Sequence, residues 1–223
     1  MPGPVLVLDL SSALFVGLVS EGRVLASRVR PQGTRGENAH AFLDECLADA
    51  GIAPADLAAL CVGMGPGSFT GIRVCGAMAQ GLAFARRLPL HPFSSLAALE
   101  TALPAGTAGG VSAIAANAGR WYARTRADGH EALITTDALL ALASGGPLAV
   151  SGNVPERDRL AAAFGPLIAF EDRIDFALLA GLALAAPPAK DGALRPNYLA
   201  ASAAENMLRA GLLGKPGPKG TSA

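Results

Sequence analysis

Residues 62–86 read VGMGPGSFTGIRVCGAMAQGLAFAR, and this stretch decides how the chain is expected to fold. An apolar run of strand length, residues 57–62, comes immediately before the glycines. Gly65 and Gly67 tolerate positive φ and Pro66 fixes its own φ, so the sequence predicts a tight loop after the strand. A helix made largely of small residues is predicted to follow the loop.

The predicted helix, residues 70–86, has a smooth surface. Ala77, Gly81 and Ala85 lie four residues apart, so their small side chains form one ridge along the helix. Such a ridge lets a second helix approach closely, because little side chain holds the two axes apart. A glycine inside a helix costs about 1 kcal/mol relative to alanine, which indicates that the smoothness is used for packing.

The loop before this helix has three possible roles: a phosphate cradle, a turn that presents the helix to a partner, or a turn without further function. Ser68 or Thr70 is placed to cap the first free amides of the helix. A P-loop requires a lysine directly after its second glycine. Gly71 is followed by Ile72, so the sequence excludes a P-loop of that type.

The composition is apolar and balanced in charge. The chain has 223 residues, of which 51% are hydrophobic and only 16% charged, and its formal net charge is +0. Nothing therefore steers the whole molecule toward nucleic acid or an anionic membrane. Sparse charge allows either an exposed apolar face for a partner or an alanine-rich core.

The cysteines and the hydropathy pattern predict a cytoplasmic protein. Cys46, Cys61 and Cys75 are odd in number and not spaced as pairs, so we expect small buried thiols in a reducing compartment. The first residues resemble a strand more than a signal peptide. No apolar run approaches the roughly 20 residues of a membrane span, and we expect no membrane contact.

Hydrophobic periodicity predicts the element order β-β-β-α-β-α-β-α for the first half of the chain, with a hairpin at Glu21 and Gly22. Its helices are predicted at residues 37–50, 70–86 and 94–103. The second half repeats this order loosely, with strands near 111–116, 121–126, 131–134, 148–150 and 167–170, and helices near 136–143, 156–164 and 176–186. The tail carries a candidate helix over 205–213, and 214–223 is expected to be disordered.

Two lobes that each begin with a three-strand meander predict an α/β fold of the two-lobed actin-like, sugar-kinase-like class, a duplicated ribonuclease-H-like unit. We place the first lobe at residues 1–103, the second, smaller lobe at 104–200 and a tail at 201–223. This fold often holds a nucleotide between its lobes, but a fold alone does not establish a function.

Residues 65–73, GPGSFTGIR, taken with 9–12, DLSS, resemble the bacterial TsaB family, also called YeaZ. The resemblance covers about the first 100 residues. The family shows Asp-Ala-Arg and then Glu-Val-Tyr at the start of the second lobe, where this chain reads ANAGRWY over 116–122. The family's closing Pro-x-Tyr-Leu-Arg is PNYLA over 196–200, and its His and Ser-Glu pair in the first helix is also changed.

The resemblance implies a non-catalytic scaffold for making threonylcarbamoyladenosine in tRNAs that read codons beginning with A. TsaB proteins pair with TsaD, the relative that holds the metal and transfers the threonylcarbamoyl group; an ATPase, TsaE, joins the pair, and TsaC supplies the activated intermediate. ATP or ADP and metal are then expected on partner subunits, with no cofactor on this chain. Contact with tRNA is expected mainly through the complex.

In the family the first two helices of the first lobe form the pairing surface, here 37–50 and 70–86, and the same surface is a candidate for a homodimer. Leu43 and Leu82 add apolar area to this surface. The expected interface residues are Ala41, Phe42, Glu45, Cys46, Thr70, Arg73, Val74, Ala77, Met78 and Gly81. Residues expected to shape the loop or to contact a nucleotide are Asp9, Gly65, Pro66, Gly67, Ser68 and Phe69.

The residues themselves argue against chemistry carried out by this chain. His40, His91 and His130 include no pair spaced four apart on a helix, and His40 with Asp44 would be an incomplete ligand set. A polar residue on a solvated face is therefore the favoured interpretation of His40. Ser68 does not lie in a Gly-x-Ser-x-Gly motif, and no histidine is near it in sequence.

Asp9 ends the first strand, where actin-like ATPases place a phosphate or metal aspartate. The matching position of the second loop is Asn117, which is neutral, so an autonomous MgATP site is not expected. We interpret Asp9 chiefly as a turn residue that binds local amides. An actin-like kinase or ATPase and a glycoprotease-like metallopeptidase are the alternative functions.

Overall fold

The computed structural model describes residues 3–30, 39–107, 109–142, 146–151, 154–170 and 173–199. These residues form two five-stranded mixed sheets with helices packed against them. The predicted α/β class is confirmed by this arrangement. The candidate helix at 205–213 and the rest of the predicted tail lie outside the described residues.

The first lobe is built on a sheet whose spatial order is β3-β2-β1-β4-β5. Its first three strands form an antiparallel meander, and β4 and β5 add in parallel to β1. The elements are β1 (Val5–Asp9), β2 (Leu14–Ser20), β3 (Arg23–Arg30), α1 (Ala39–Ala50), β4 (Ala59–Gly63), α2 (Phe69–Arg86), β5 (Leu90–Phe93) and α3 (Ser95–Glu100). The predicted order of strands and helices is therefore correct for this lobe.

The second lobe repeats the same plan. Its sheet order, β8-β7-β6-β9-β10, is the order of the first sheet with every strand replaced by its counterpart. The elements are β6 (Val111–Ala115), β7 (Arg120–Thr125), β8 (Glu131–Thr135), α4 (Thr136–Ala141), β9 (Leu148–Ser151), α5 (Arg157–Phe164), β10 (Ile168–Ala169) and α6 (Phe176–Ala185). Two copies of one topology establish the duplicated, two-lobed fold that the element order predicted.

Helices cover both faces of the first sheet, which explains why β1 is buried along its whole length instead of alternating. Leu6 and Leu8 point to the face covered by α1 and α2. Val5 and Val7 point to the opposite face, covered by α3 and α6. The two faces thus carry separate apolar clusters on either side of one sheet.

Helix α6 packs on the first sheet. Phe176 lies against Gly17, where an added Cβ would come within 2.1 Å of the ring, and its ring meets that of Phe15 at 5.9 Å between centroids. Leu179 and Ala183 extend the contact. Helix α6 therefore packs against the first sheet.

The chain after α6 also follows the first lobe. The Ala189 amide donates to the Leu90 carbonyl at 2.6 Å, and the Asn197 amide donates to the Met64 carbonyl at 2.7 Å. The Gln80 side chain donates to the Gly192 carbonyl at 3.2 Å. We call residues 189–198 the strap, because they run along the flank of α2 and bind it to the sheet edge.

Polar side chains join the two lobes around Glu131. Its carboxylate accepts hydrogen bonds from Ser94 at 2.5 Å and from the Asn197 side chain at 2.7 Å. Arg124 bridges Glu131 at 3.2 Å and Glu100 at 2.8 Å. The second lobe is therefore tied both to the start of α3 and to the strap.

The three cysteines are buried and free, as predicted. Burial raises the pKa of the Cys46 thiol to about 11 and that of Cys61 to about 12, so both stay protonated and unreactive near neutral pH. None of the helices in the described part of the chain combines the length and the hydropathy that a membrane span requires.

Candidate functional site

The glycine loop is shaped by its close approach to the turn after β1. Gly65 has φ +87° and precedes a cis peptide bond to Pro66, and Gly67 has φ +153°. A Cβ at Gly67 would lie 2.4 Å from the Ser11 carbonyl oxygen, and one at Gly71 would lie 1.9 Å from that of Leu10. These glycines are required because backbone approaches backbone at those points.

Ser68, and not Thr70, caps the start of α2. The Ser68 hydroxyl accepts a hydrogen bond from the Gly71 amide at 3.2 Å, and the Ser68 amide donates to the Ser11 carbonyl at 2.7 Å. The helix accordingly begins at Phe69, one residue before the predicted start.

The loop is further held by a buried set of hydroxyls. The hydroxyls of Ser11 and Ser95 lie 2.5 Å apart, and the Gly65 amide donates to the Ser95 hydroxyl at 3.2 Å. The Ser95 amide returns a hydrogen bond to the Gly65 carbonyl at 2.9 Å. The amides of Gly65, Ser68 and Gly71 are thus engaged within the protein, which favours a structural role for the loop over a phosphate cradle.

Asp9 is completely buried at the end of β1. One carboxylate oxygen accepts from the Ser11 amide at 2.6 Å, and the side chain fills the space beside Gly63, where a Cβ would lie 2.2 Å from its carboxyl carbon. Burial raises the pKa of the Asp9 carboxyl, and hydrogen bonds from Ser95 and Ser11 offset part of that rise. The side chain acts on its local turn and does not face open solvent.

The matching loop of the second lobe is arranged differently. Asn117 is exposed in the turn between β6 and β7, where Ala118 and Gly119 have φ of +59° and +65°. The two loops therefore present one enclosed carboxylate and one solvated amide. That pair lacks the two facing carboxylates that would hold Mg²⁺ with phosphate oxygens.

The outer face of α2 is smooth and open. Phe84 is 91% exposed, the highest value among the large apolar side chains that the structure describes. A Cβ added at Gly81 would meet nothing within 4 Å, so the missing side chain serves no packing inside the chain. We call this face the α2 ridge; its exposed residues are Arg73, Ala77, Gln80, Gly81, Phe84 and Ala85.

Phe42 and Cys46, predicted to lie in the interface, are in the interior instead. Phe42 is 5% exposed and Cys46 is 0% exposed, and both pack with Leu43 against the first sheet. The apolar stripe of α1 faces its own lobe, as the stripe of an amphipathic helix on a sheet does. These side chains are therefore removed from the candidate surface.

The other predicted interface residues divide by exposure. Ala41, Val74 and Met78 are half-buried at the flanks of the two helices. Thr70, Arg73, Ala77 and Gly81 on α2 and Glu45 on α1 are exposed. The remaining candidate surface is consequently formed mainly by α2.

The outer face of α1 is polar and partly paired. Arg28 on β3 bridges Glu45 at 3.0 Å and Asp49 at 2.6 Å. His40 and Asp44 are also exposed on this face. Glu45 and Asp49 are therefore directed toward the edge strand β3.

An aromatic cluster ends the ridge near the glycine loop. The Arg73 guanidinium lies 3.9 Å from the centre of the Phe69 ring, and the Tyr198 ring lies 4.9 Å from that of Phe69. The Arg73 side chain also donates to the Tyr198 hydroxyl at 3.5 Å. Tyr198 belongs to the strap, so the end of the described chain adds to the surface.

Phe84 and Tyr198 lie on this surface but are not among the residues predicted from the sequence. The position of Phe84 could have been predicted from the sequence, because it lies seven residues after Ala77 and three after Gly81, on the same side of the helix. Tyr198 gave no such signal, since its place beside Phe69 depends on the path of the strap.

No three His, Cys, Asp or Glu side chains gather into a metal-binding group in the part of the chain that the structure describes. His40 and His130 are exposed at separate places. His91 is buried, with its Nδ1 at 3.0 Å from the Ala186 carbonyl. The histidines therefore do not assemble into a ligand set.

Comparison with known proteins adds independent information. The model of the family described as "TsaD: tRNA N6-adenosine threonylcarbamoyltransferase" matches residues 35–161. A Haemophilus influenzae protein named tRNA threonylcarbamoyladenosine biosynthesis protein TsaB is 41% identical over 98 residues, which are 44% of this chain and 42% of that protein. The Bacillus subtilis protein of the same name is 33% identical over 101 residues, 43% of this chain and 42% of that protein.

A solved structure extends the likeness to the second lobe. It is a Pseudomonas aeruginosa protein described as uncharacterized and similar to the peptidase YEAZ, with a TM-score of 0.68 and 26% identity. The match covers 89% of this chain and 100% of that one. The matched segment, by contrast, spans only about two fifths of the length of the curated TsaB relatives.

Proposed function

The chain belongs to the family described as TsaD, tRNA N6-adenosine threonylcarbamoyltransferase, and within it to the TsaB (YeaZ) proteins, and we propose that it is a non-catalytic partner subunit in the formation of threonylcarbamoyladenosine in tRNA. In this proposal it docks on TsaD, which carries the metal and the reactive centre. TsaE joins the pair, and tRNA is contacted mainly through the complex in the cytoplasm.

The observation that carries the proposal is the α2 ridge. Phe84 is 91% exposed and lies beside alanine and glycine, so this face of α2 presents an aromatic ring on a smooth surface that a partner helix can cover. Small residues let a partner helix come close, and Phe84 provides an aromatic anchor of the kind that dominates interface energetics.

Helix α1 lies on the same face of the first sheet as α2 and can add to the docking surface. The strands β3 and β4 run in the same direction and lead into α1 and α2, and both helices pack on one face of the sheet. Two helices from a partner could pack on this pair as a four-helix bundle, burying roughly 1,600 Å² in an interface of standard size.

The enclosed Asp9 supports the non-catalytic part of the proposal. An aspartate that places Mg²⁺ against a phosphate must reach the cleft, and Asp9 has no exposed surface. Without a second carboxylate at Asn117, the loops favour scaffold over ATPase. Calorimetric titration of the isolated chain with MgATP tests this part, and tight binding would revive the kinase or ATPase alternative.

Ala77→Arg tests the docking surface. The substitution places a long charged side chain in the middle of the ridge, where the native methyl group is exposed, so the monomer is expected to keep its fold. We expect co-purification with TsaD to be lost. The measurement is a pull-down with a thermal unfolding curve of each isolated variant.

Leu182→Arg provides the matched control. Leu182 is 56% exposed on α6, which packs on the opposite face of the first sheet. This variant carries the same new charge and is expected to bind TsaD as the native chain does. Native-like binding by Ala77→Arg would contradict the proposed surface.

A further inference from the structure

We propose that Glu131, on β8 of the second lobe, is a positioning residue for the docking surface on α2, because it fixes Asn197 of the strap and thereby places the Tyr198 ring on that surface. The inference rests on the proposed function, since it concerns the same surface. It gives the second lobe a part in docking although Glu131 does not belong to the α2 ridge.

Asn197 is the point at which three parts of the molecule meet. Its backbone amide donates to the Met64 carbonyl, just after β4, at 2.7 Å. Its carbonyl oxygen would lie 3.0 Å from a Cβ added at Gly65, so the strap packs closely on the glycine loop. Its side-chain amide donates to Glu131 Oε2 at 2.7 Å. The sheet edge, the glycine loop and the second lobe therefore all act on this one residue.

The next residue, Tyr198, adds aromatic surface to the start of α2. Its ring centre lies 4.9 Å from that of Phe69, and the Arg73 guanidinium lies 3.9 Å from the centre of the same Phe69 ring. Tyr198 remains 42% exposed, so a partner on the α2 ridge can contact it. Tyrosine and arginine are among the side chains that carry most of the binding energy in protein interfaces.

The place of Tyr198 depends on how firmly its neighbour is held. The hydrogen bond from Arg73 to the Tyr198 hydroxyl, at 3.5 Å, is at the long limit for such a bond. The two hydrogen bonds of Asn197 to Met64 and Glu131 are both 2.7 Å long. Firm placement of the ring must therefore come from Asn197, the adjacent position in the chain.

Glu131 is itself held in place, as a positioning residue must be. Its side chain is only 14% exposed, and its Oε1 accepts hydrogen bonds from Ser94 at 2.5 Å and from Arg124 at 3.2 Å. Arg124 is fixed in turn by Glu100 at 2.8 Å. The second carboxylate oxygen receives Asn197, and the negative charge makes this hydrogen bond stronger than one between neutral groups.

Two variants that share one residue at position 197 test the assignment. A carboxylate only accepts hydrogen bonds, so Asn197→Asp sets two negative charges against each other and should release the strap at about pH 8, where both groups are ionised. Adding Glu131→Gln supplies an amide that can donate to the new carboxylate. The contact then forms again with its two partners exchanged, and the net charge equals that of the native chain.

The first measurement is amide hydrogen exchange in the isolated chain, followed by NMR. We expect the amide of residue 197, which donates to the Met64 carbonyl, to exchange about tenfold faster in Asn197→Asp than in the double variant. Both variants carry aspartate at this position, so the comparison isolates the change at Glu131. The Ala189 amide, which donates to the Leu90 carbonyl at the other end of the strap, is the control and should exchange equally in both.

The second measurement is the affinity for TsaD. We expect Asn197→Asp to bind about tenfold more weakly than the native chain, because Tyr198 is no longer held on the surface. The double variant should regain the native affinity to within about twofold. A role of Glu131 that is confined to the stability of the second lobe would not produce this recovery, since the double variant still lacks the native carboxylate.

The outcomes separate this inference from the proposed function. Equal exchange at position 197 in the two variants would overturn the positioning role of Glu131. Native affinity of Asn197→Asp, measured beside lost binding by Ala77→Arg, would also overturn it and would leave docking on α2 intact. Native-like binding by Ala77→Arg would refute the docking surface itself, and this inference with it.

Discussion

The two ends of α2 differ in what their glycines do. Gly71 faces inward, where a Cβ would lie 1.9 Å from the Leu10 carbonyl oxygen, whereas Gly81 faces outward with nothing within 4 Å of a Cβ. The first glycine is needed to assemble the loop, the helix and the turn after β1. The second leaves a surface bare. One helix therefore uses the same residue type for internal assembly and for presentation.

Gly71→Ala should give the largest change. The added methyl group would collide with backbone atoms of Leu10, which the β1–β2 connection holds in place, so relief requires a shift of the helix or the strand end. We expect a loss of about 3 kcal/mol in the free energy of unfolding, at the upper end of overpacking effects. Urea denaturation measures this loss. A variant as stable as the native chain would contradict the claim that Gly71, unlike Gly81, is required by a close backbone contact.

Asp9→Asn tests whether the buried carboxylate beside the glycine loop makes the stability of the chain depend on pH. Burial raises the pKa of the Asp9 carboxyl in the folded chain above its ordinary value, so on raising the pH from about 4 the unfolded chain loses this proton first. The native chain should therefore lose stability as pH rises through the folded pKa, and the loss should then stay constant.

The Asn variant cannot titrate at this position and should lack that loss. Denaturation of both chains between acidic and neutral pH gives the two profiles, and their difference isolates Asp9 from other carboxyls such as Glu100, whose pKa burial also raises. Asp158→Asn, a change at an exposed residue of α5, is the control. Parallel profiles for the native chain and Asp9→Asn would show that ionisation of Asp9 does not cause the loss of stability.

The sequence predicts the loop and the fold better than it predicts which side chains lie on the surface. Glycine and proline chemistry predicts the tight loop, and the three-strand meander followed by αβ units predicts the duplicated fold, because both signals are local. The stripe of α1 shows that Phe42 and Cys46 are buried but not by what, and we assigned them to a partner when the lobe's own sheet covers them.

Packing between distant segments was beyond the sequence for the same reason. The residues of α6 are apolar on every side, so periodicity cannot indicate which of the two sheets receives the helix. Tyr198 reaches Phe69 only because the strap follows α2 after α6 has returned to the first lobe. The surface beside the first turn of α2 is thus completed by a residue more than a hundred positions away from it in the chain.

Gly81→Ala should give the smallest change and the opposite sign. Because a Cβ there meets nothing, the variant gains helix propensity worth up to about 1 kcal/mol without any internal clash. Its free energy of unfolding should therefore rise, whereas that of Gly71→Ala should fall in the same urea experiment.

The added methyl group would also stand between α2 and a closely packed partner helix, so the affinity for TsaD should decline although the stability improves. A Gly81→Ala chain that is more stable and binds TsaD without loss would mean that the bare surface at this position is not used for close helix contact, and docking would then depend on Phe84 and the neighbouring ridge residues alone.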